Sequence, residues 1–474
     1  MTVFEIRGEV VRPEGVEPPA YRFEACRSIQ LSYGRTVAEC IIAPLRMSRR
    51  QAVWFAFACA ALVRLLYLIV ARPQFQYEYW ELAGNIIQHG TLGVDGVPTT
   101  RFEVMYPLLV AAMRVIVRDR VFAAQLLQIV IGSLGAVWLY DLAETLTASR
   151  RVALVASLLF ALNPLLVRHS ADGTDVTLMA TLLVGFCRAF VRARTPAGAA
   201  MAGVWLGVAT LTRAMALPIV IVASAVLLIE RRRGAAAAFA AAALAVFTPY
   251  AARNDRLNGA FMPSRTGLNL FVSNSAYTNA IVPEYQADWL EPYAADTLVA
   301  HGIAVDEPAS PTLEREQDRV LTQIAWQTIK SRPLENIIRR IHYAGYLFSP
   351  FIVPRQFATD GATVRVGDGG QVVIEGAALR PLRDRLIYTS SFVPILVLAV
   401  VGVWLRHGDV RRDAALWSVA ITFIAVHMIF FPATRYRAPM EFVLLFYAAV
   451  AIDRLVALVR RRADMSVPLP ASIA

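Results

Sequence analysis

Long apolar runs separated by short polar segments make up most of the chain after residue 51. The first run extends from about Ala52 to Val70, close to the roughly 20 residues that an α-helix needs to span the hydrocarbon core of a bilayer. Nine more runs of similar character follow, at about 121–143, 152–169, 176–191, 199–212, 214–229, 234–250, 386–405, 415–431 and 438–457. The pattern predicts an all-α polytopic membrane protein, a bundle of about ten transmembrane helices.

A shorter apolar run at 104–117 contains Arg114, and we predict that it is an interfacial helix that does not cross the membrane. This interpretation puts the arginine clusters between the runs on one side, which is the expectation for the cytoplasmic side. The clusters are Arg46/Arg49/Arg50, Arg150/Arg151, Arg192/Arg194, Arg231/Arg232/Arg233, Arg406/Arg411/Arg412 and Arg460/Arg461/Arg462. Both termini are then cytoplasmic, and the loop after the first helix faces outward.

This topology divides the chain into segments of different composition. Residues 1–46 have no apolar period and are predicted to be a disordered tail or a non-native start before Met47. The other segments are an N-terminal transmembrane module (47–252, with the first external loop at 71–120), an external, periplasmic loop region with amphipathic helices (253–385), C-terminal transmembrane helices (386–458) and a cytoplasmic tail (459–474). In the external region, the residues around Gly-Asp-Gly-Gly alternate in polarity, which predicts a small hairpin.

The composition agrees with a membrane protein. Hydrophobic residues make up 57% of the chain and charged residues 18%, whereas soluble domains have about 25% charged residues. The net charge of +11 comes from arginines in short clusters between apolar runs, so it does not indicate nucleic-acid binding. The four cysteines lie far apart, which predicts neither a disulfide framework nor a zinc site. The sequence has no motif of a P-loop enzyme, a zinc protease or a triad hydrolase.

Several arginines at or near the predicted outer ends of helices run against the preference of arginine for the cytoplasmic side. They are Arg101, Arg168, Arg213, Arg253, Arg435 and Arg437. A guanidinium group binds phosphate oxygens in a forked geometry and stays charged at any working pH. The set therefore predicts a site for a phosphorylated lipid. For any single arginine, snorkelling to lipid headgroups or pairing with an acid is the alternative.

Carboxylates on the same predicted face are candidates for acid–base chemistry. Glu78 lies between Tyr77 and Tyr79, directly outside the first helix. There a general base could take a proton from an attacking hydroxyl or amine, and a solvated loop acid is the alternative. Asp175 stands at the start of a later apolar helix, either as its N-terminal cap or as part of the site.

Five segments, in order along the chain, resemble GT-C type polytopic glycosyltransferases, the group related to glycosyltransferase family 39 that includes aminoarabinose transferases and protein O-mannosyltransferases. The segments are YWELAGNIIQHG with TRFEVMYPLLVAA, NPLLVRHSADGTDVTLMATLL, GVATLTRAMALP, TPYAARNDRLNGAFMPSRTGLNLFVSN and RYRAPMEFVLLFYAAVA. The resemblance implies a GT-C-like bundle with interfacial helices. It also implies inverting transfer of a sugar from a polyprenyl-phosphate donor, on the periplasmic or extracellular face of a bacterial inner membrane.

The resemblance also implies the residues of the site. Those predicted to bind substrate are Tyr79, Arg101, Arg213, Arg253, Asn254, Asn269, Asn274, Arg435, Tyr436 and Arg437. Members of the family often carry an acidic residue or pair shortly before the tyrosine of the first loop, where this chain has Gln74, Phe75 and Gln76. The catalytic prediction therefore moves to Glu78, with Glu103 in reserve and Asp175 beside them. No cofactor is certain, and a divalent metal is not supported, because one carboxylate is a poor site for it.

Two other functions share much of this pattern. A non-catalytic carrier or flippase of lipid-linked sugars would also use outer arginines and interfacial helices, although the sequence shows no internal repeat of the kind that many transporters have. An accessory protein that binds polyprenyl phosphate without transferring sugar is the second. The predicted partners are a polyprenyl-phosphate-linked sugar, membrane lipids and, for an enzyme, a glycan, lipid or protein acceptor, with no nucleic acid.

Overall fold

The structure is a computed structural model that describes residues 47–117, 121–305, 308–366 and 372–465. The chain forms two units, Met1–Ala52 and Val53–Ala474. In the first unit the structure describes residues 47–52, where the first helix begins. The predicted tail at 1–46 lies outside the described residues, as does the end of the predicted C-terminal tail from residue 466 onward.

The N-terminal half is a series of helices interrupted by one short antiparallel ribbon. The helices are α1 (Arg49–Ala71), α2 (Tyr77–His89), α3 (Met105–Val117), α4 (Val121–Thr147), α5 (Arg150–Leu162), α6 (Pro164–His169), α7 (Val176–Arg192), α8 (Pro196–Thr212), α9 (Ile219–Ile229) and α10 (Arg233–Asn258), with a 3₁₀ turn at Ala214–Ala216. Strands β1 (Gly93–Val94) and β2 (Val97–Pro98) form the ribbon, which lies in the loop after α2.

The second half begins with short helices and ends with long ones. Its helices are α11 (Thr266–Asn274), α12 (Thr278–Ile281), α13 (Glu291–Ala300), α14 (Pro311–Ser331), α15 (Pro333–Leu347), α16 (Leu382–Leu405), α17 (Ala414–Ile429), α18 (Thr434–Arg437) and α19 (Glu441–Met465), with 3₁₀ turns at Ala287–Leu290, His407–Asp409 and Ala438–Met440. Strands β3 (Gln356–Val366) and β4 (Val372–Leu379) pair antiparallel, as the alternating pattern predicted, and their turn lies outside the described residues.

Among the described residues, five helical stretches are long and apolar enough to cross a membrane, namely α1, α4, α10, α16 and the continuous stretch Thr434–Arg461. Four more apolar helices are shorter: Met105–Ile116, Pro196–Thr212, Ala214–Ile229 and Ala414–Ile429. The protein is therefore an all-α integral membrane protein, as predicted, whereas the predicted count of about ten crossings is not confirmed.

One predicted helix is broken in the structure. The run expected at 152–169 divides into α5 and α6 at Asn163 and Pro164. A proline disfavours helical backbone in the residue before it, so the first helix ends there. The Asn163 side chain then caps the new helix by accepting a hydrogen bond from the Leu166 amide at 3.0 Å.

Small residues allow the apolar helices to pack closely. A Cβ atom at Gly203 of α8 would lie 2.2 Å from the carbonyl oxygen of Phe239 on α10, and one at Gly402 of α16 would lie 1.9 Å from the carbonyl oxygen of Tyr447 on α19. Glycine is required at these positions because any larger side chain would push the two backbones apart.

The short helices between α10 and α16 share a hydrophobic core of their own. Phe271, Leu290, Leu321 and Tyr343 are buried together there, and Phe431, just after α17, packs into the same cluster. This packing fixes α11 and α14 beside the end of α17, next to the loop that follows α2.

Candidate functional site

Glu78 is an accessible carboxylate in the first turn of α2. Its side chain is about 40% exposed, and it accepts a hydrogen bond from Gln76 Nε2 at 3.2 Å. An acid is favourable in the first turn of a helix because the backbone dipole is positive there. The guanidinium of Arg265 approaches it, with 3.7 Å between Arg265 Nη1 and Glu78 Oε1. Glu78 is thus a solvent-accessible carboxylate with a cation beside it.

Asp175 and Arg213 form a buried, forked ion pair. Arg213 Nε donates to Asp175 Oδ2 at 2.6 Å, and Arg213 Nη2 donates to Oδ1 at 2.7 Å. Asp175 precedes α7 in the N-cap position, but its carboxylate makes no capping hydrogen bond and is only 2% exposed. Two parallel charge-assisted hydrogen bonds fix the plane of the guanidinium. The carboxylate therefore orients Arg213 and is not a cap.

Glu103 lies next to this pair and holds the turn that carries Arg213. Its Oε1 accepts a hydrogen bond from the Ala214 amide at 2.8 Å. Burial raises the pKa of the Glu103 carboxyl, because an apolar environment disfavours the charged form. Tyr79 packs edge-on against Tyr106, with 4.8 Å between ring centroids, and burial raises the pKa of its hydroxyl well above the usual value.

Tyr436 lies between two cationic side chains. The guanidinium carbons of Arg213 and Arg435 are 5.5 and 4.8 Å from the centre of its ring. Arg435 Nη2 donates to the Tyr436 hydroxyl at 2.7 Å and to Asp288 Oδ2 at 3.2 Å. The Tyr436 ring stacks on His427, with centroids 5.5 Å apart. Arg435 keeps about 40% of its side chain exposed, so an anion can reach it.

A cavity of about 830 Å³ adjoins this group of side chains. Its walls come from α2, the loop after β2, the segment before α11, α13 and α14. The charged residues that line it include Glu78, Arg101, Arg265, Asp288 and Glu291. Arg265 Nη2 donates to Glu291 Oε1 at 3.1 Å, and Asp288 is shared with Arg435. Asp288 therefore links the cavity to the Tyr436 group, because it lines the cavity and pairs with Arg435.

The structure brings together seven of the residues predicted from the sequence and places the others elsewhere. Those brought together are Glu78, Tyr79, Glu103, Asp175, Arg213, Arg435 and Tyr436, and Arg101 lies on another wall of the cavity, where its Nη2 donates to Gln317 Oε1 at 2.9 Å. Arg253 donates to the backbone oxygens of Thr99 and Leu92 at 3.0 and 2.9 Å. It therefore fastens the first loop, with the buried Asn254 accepting from it at 3.1 Å.

Arg437 does not have the surroundings of a substrate-binding residue. Its side chain is 1% exposed, and it donates to Glu441 Oε1 at 2.7 Å, to the Tyr388 hydroxyl at 2.9 Å and to the carbonyl oxygen of Leu347 at 2.8 Å. Asn274 is also buried and donates to the Leu270 carbonyl oxygen at 2.7 Å, within its own helix. Asn269 is half-buried on α11. Contacts within the protein account for Arg253 and Arg437 without a ligand, whereas Asn274 Oδ1 is buried without a hydrogen-bond partner among the described residues.

Sequence reasoning missed Arg265, Asp288 and Glu314. Arg265 belongs to a stretch, PSRTG, that reads as a turn, and Glu314 belongs to an amphipathic helix far from the first loop in sequence. The sequence shows the charged residues of these segments, but it does not show which residues they contact in the folded protein. Among the described residues, no group of three or more His, Cys, Asp and Glu side chains could hold a metal ion. The cation beside Glu78 is the guanidinium of Arg265.

We expect Glu103→Gln to fold and bind ligand like the wild type, because an amide oxygen can still accept from Ala214. Glu103→Ala is expected to lose about 1 kcal/mol of stability. The pKa of the Glu103 carboxyl is higher in the folded protein than in the unfolded chain. The free energy of unfolding of the wild type therefore decreases as the pH rises through the interval between these two pKa values. Thermal melting between pH 4 and 8 checks this: Glu103→Gln should show a smaller decrease over that interval. An unchanged slope would contradict the assignment.

The fold is similar to that of a known membrane glycosyltransferase. Over 90% of this chain and 53% of the other, it matches the archaeal oligosaccharyltransferase AglB from Archaeoglobus fulgidus, solved in complex with an inhibitory peptide and a dolichol-phosphate, with 16% identity and a TM-score of 0.50. The chain thus spans about half the length of that protein. The GT-C-like fold that the sequence resemblance implied is confirmed.

A family model agrees with this fold. Residues 103–252 match the model described as dolichyl-phosphate-mannose-protein mannosyltransferase. ArnT from Cupriavidus metallidurans bound to undecaprenyl phosphate is a weaker structural match, with 14% identity, a TM-score of 0.35, and coverage of 89% of this chain and 82% of that one. No significant match was found among curated proteins.

Proposed function

We propose that this protein is a glycosyltransferase that moves a sugar from a polyprenyl-phosphate donor to an acceptor. One observation carries the proposal. An accessible carboxylate, Glu78, lines a cavity of about 830 Å³. Asp288, on the same lining, pairs with Arg435, which shares the Tyr436 ring with Arg213. A base and an anion site therefore lie next to one space large enough for a sugar. The family match over 103–252 and the fold of AglB, which was solved with a dolichol-phosphate, support the same class.

Arg213 and Arg435 are the residues we assign to the donor phosphate. Asp175 holds Arg213 through Nε and Nη2, which leaves Nη1 as the donor for phosphate. Arg435 is more exposed and bonds only through Nη2 in the hydrogen bonds above. Guanidinium groups bind phosphate well because they stay charged and match its oxygens. In this assignment Asp175 and Glu103 orient the arginine and do not act as bases.

Glu78 is the group we assign to the acceptor. It removes the proton from an acceptor hydroxyl or amine while the oxygen or nitrogen forms a bond to the anomeric carbon. The bond from that carbon to the phosphate oxygen breaks, its electron pair leaves with polyprenyl phosphate, and the anomeric configuration inverts. Phosphate is a good leaving group, and the two arginines stabilise the charge that develops on it. Positioning and charge stabilisation then supply most of the catalysis.

The cavity provides aromatic surface for the sugar or the acceptor. Trp289 and Phe102 line it, and aromatic faces pack well against the apolar faces of sugar rings. Tyr277 and Tyr293, by contrast, pack against the buried core of the short helices. Trp289 is therefore the aromatic residue we assign to substrate.

We place this site on the periplasmic face of a bacterial inner membrane, with both termini in the cytoplasm. The arginine clusters support this orientation. Arg150 and Arg151 begin α5 directly after the end of α4, whereas Gln128, in the first part of α4, bonds to Thr174 at the site. The clusters thus lie toward the end of the bundle away from Glu78, as arginines that remain in the cytoplasm would.

Vesicles containing the purified protein distinguish transfer from transport. A panel of radiolabelled polyprenyl-phosphate sugars is supplied together with bacterial membrane extract as the source of acceptor. We expect one donor to lose its sugar to a product that no longer contains the polyprenyl chain, and Arg435→Ala to reduce this at least tenfold. Asp255→Asn, which alters an exposed carboxylate of α10, serves as the matched control. Label that crosses the vesicle membrane while still attached to lipid would establish a carrier instead.

A further inference from the structure

Glu314 is a buried carboxylate far from the first loop in sequence but bonded to it at several points. Its side chain is 2% exposed and lies in the first turn of α14, where the helix dipole favours an acid. Oε2 accepts from the Thr100 amide and the Thr100 hydroxyl, both at 2.8 Å, and from the Ser264 hydroxyl at 3.1 Å. Oε1 accepts from the Thr99 hydroxyl.

Arg101 continues this contact along α14. Its Nε is 3.6 Å from Glu314 Oε1, and its Nη2 donates to Gln317, one turn further on. A buried carboxylate is costly unless it is paired and hydrogen-bonded, and here the loop supplies nearly all of the donors. In this arrangement the loop supplies hydrogen bonds to both oxygens of the Glu314 carboxylate.

The fixed loop leads directly into the candidate site. Arg101 lines the cavity together with Glu314 and Gln317. Two residues later, Glu103 holds the Ala214 amide next to Arg213, and between them the Phe102 carbonyl oxygen accepts from the Tyr250 hydroxyl at 2.9 Å. A displacement at Thr99–Thr100 would shift both the cavity wall and the support of Arg213.

We propose that Glu314 is a positioning residue for the reaction: by binding Thr99, Thr100 and Arg101, it sets the place of the first loop relative to the cavity and to Arg213. This inference rests on the proposed function. According to this proposal, α14 in the external segment determines the geometry of the donor site. A shift of about 1 Å in a reacting group can cost about a hundredfold in rate, so loss of this anchor acts on turnover.

Glu314→Gln is the variant that tests it, because the amide keeps the size of the side chain but places a donor against the donors of the loop. The control is Glu316→Gln, an exposed carboxylate on the same helix. Hydrogen exchange of the peptide 96–102, in the full-length protein in detergent, needs no substrate. We expect exchange at the Thr100 amide to quicken at least about tenfold in Glu314→Gln and to stay unchanged in Glu316→Gln.

Transfer kinetics provide the second measurement. We expect kcat to fall about 10- to 100-fold in Glu314→Gln, per folded molecule, with a smaller change in KM for the donor. Thr99→Val should lower kcat as well, and the double variant should lose little more than Glu314→Gln alone, because both act through one contact.

The exchange and kinetic measurements together test whether Glu314 positions the loop for the reaction. Unchanged exchange in Glu314→Gln overturns the proposal whatever the activity. Faster exchange with wild-type kcat, or with fully additive losses in the double variant, overturns it too, because the loop then moves without affecting the reaction. A wild-type protein that transfers no sugar overturns the proposed function itself, and the exchange result still shows whether Glu314 anchors the loop.

Discussion

Glu78→Gln is expected to lower the rate of sugar transfer by about 10² to 10⁴, the usual effect of removing a general base. The amide has the same size and can still accept from Gln76, so the fold and the donor affinity should change little. Initial rates with saturating donor, together with the dissociation constant for polyprenyl phosphate, separate these two effects. A lower kcat with unchanged binding is the expected pattern.

Glu103→Gln is the informative companion to this variant. Glu103 is partly buried and bonded to a backbone amide, so its neutral form should support transfer at close to the wild-type rate. If Glu78→Gln transferred sugar as fast as the wild type while Glu103→Gln was inactive, the base would be Glu103. That result would also mean that the Glu103 carboxylate, which accepts from the Ala214 amide, takes the proton from the acceptor.

Arg213→Ala should have the largest effect on stability. It leaves the Asp175 carboxylate, 2% exposed, without its partner, and breaking a buried ion pair in this way costs about 3 to 5 kcal/mol. Donor binding should be lost as well, because the guanidinium beside Tyr436 is gone. Thermal melting in detergent measures the first effect, and binding of polyprenyl phosphate measures the second.

A double variant separates these two consequences. Asp175→Leu combined with Arg213→Met replaces the pair by apolar side chains of similar volume, which is often close to neutral for stability. We expect the double variant to recover most of the melting temperature that Arg213→Ala loses, but not the binding of the donor. A double variant that binds polyprenyl phosphate like the wild type would show that Arg213 serves only the fold.

The class of fold could be predicted from the sequence because it depends on local patterns, whereas the roles of the site residues stay predictions. Apolar runs of membrane length report helices directly, and the Arg213 and Arg435 segments stand at helix ends that the charge pattern assigned to one face. Asp175 and Arg213 are 38 positions apart, yet each was identified from its own place at a helix end. Their direct pairing was not predicted.

Long-range partners decided the roles that the sequence left ambiguous. Arg437 and Arg253 look like Arg435 in sequence, but Glu441 and Tyr388 surround the first and backbone carbonyl groups surround the second. Arg265 was not distinguishable from a turn residue until its contacts with Glu78 and Glu291 were seen. The sequence alone does not distinguish an arginine whose hydrogen bonds are made within the protein from one that is available to a ligand.

Release of polyprenyl phosphate tests the central claim most directly. Purified protein in excess is mixed with a polyprenyl-phosphate sugar and membrane extract, and polyprenyl phosphate and transferred sugar are both quantified over a single turnover. We expect equal amounts of the two from the wild type, and neither within the same time from Glu78→Gln although it binds the donor. If no donor in the panel yielded polyprenyl phosphate, while intact lipid-linked sugar crossed vesicles containing the same protein, the protein would not be a glycosyltransferase.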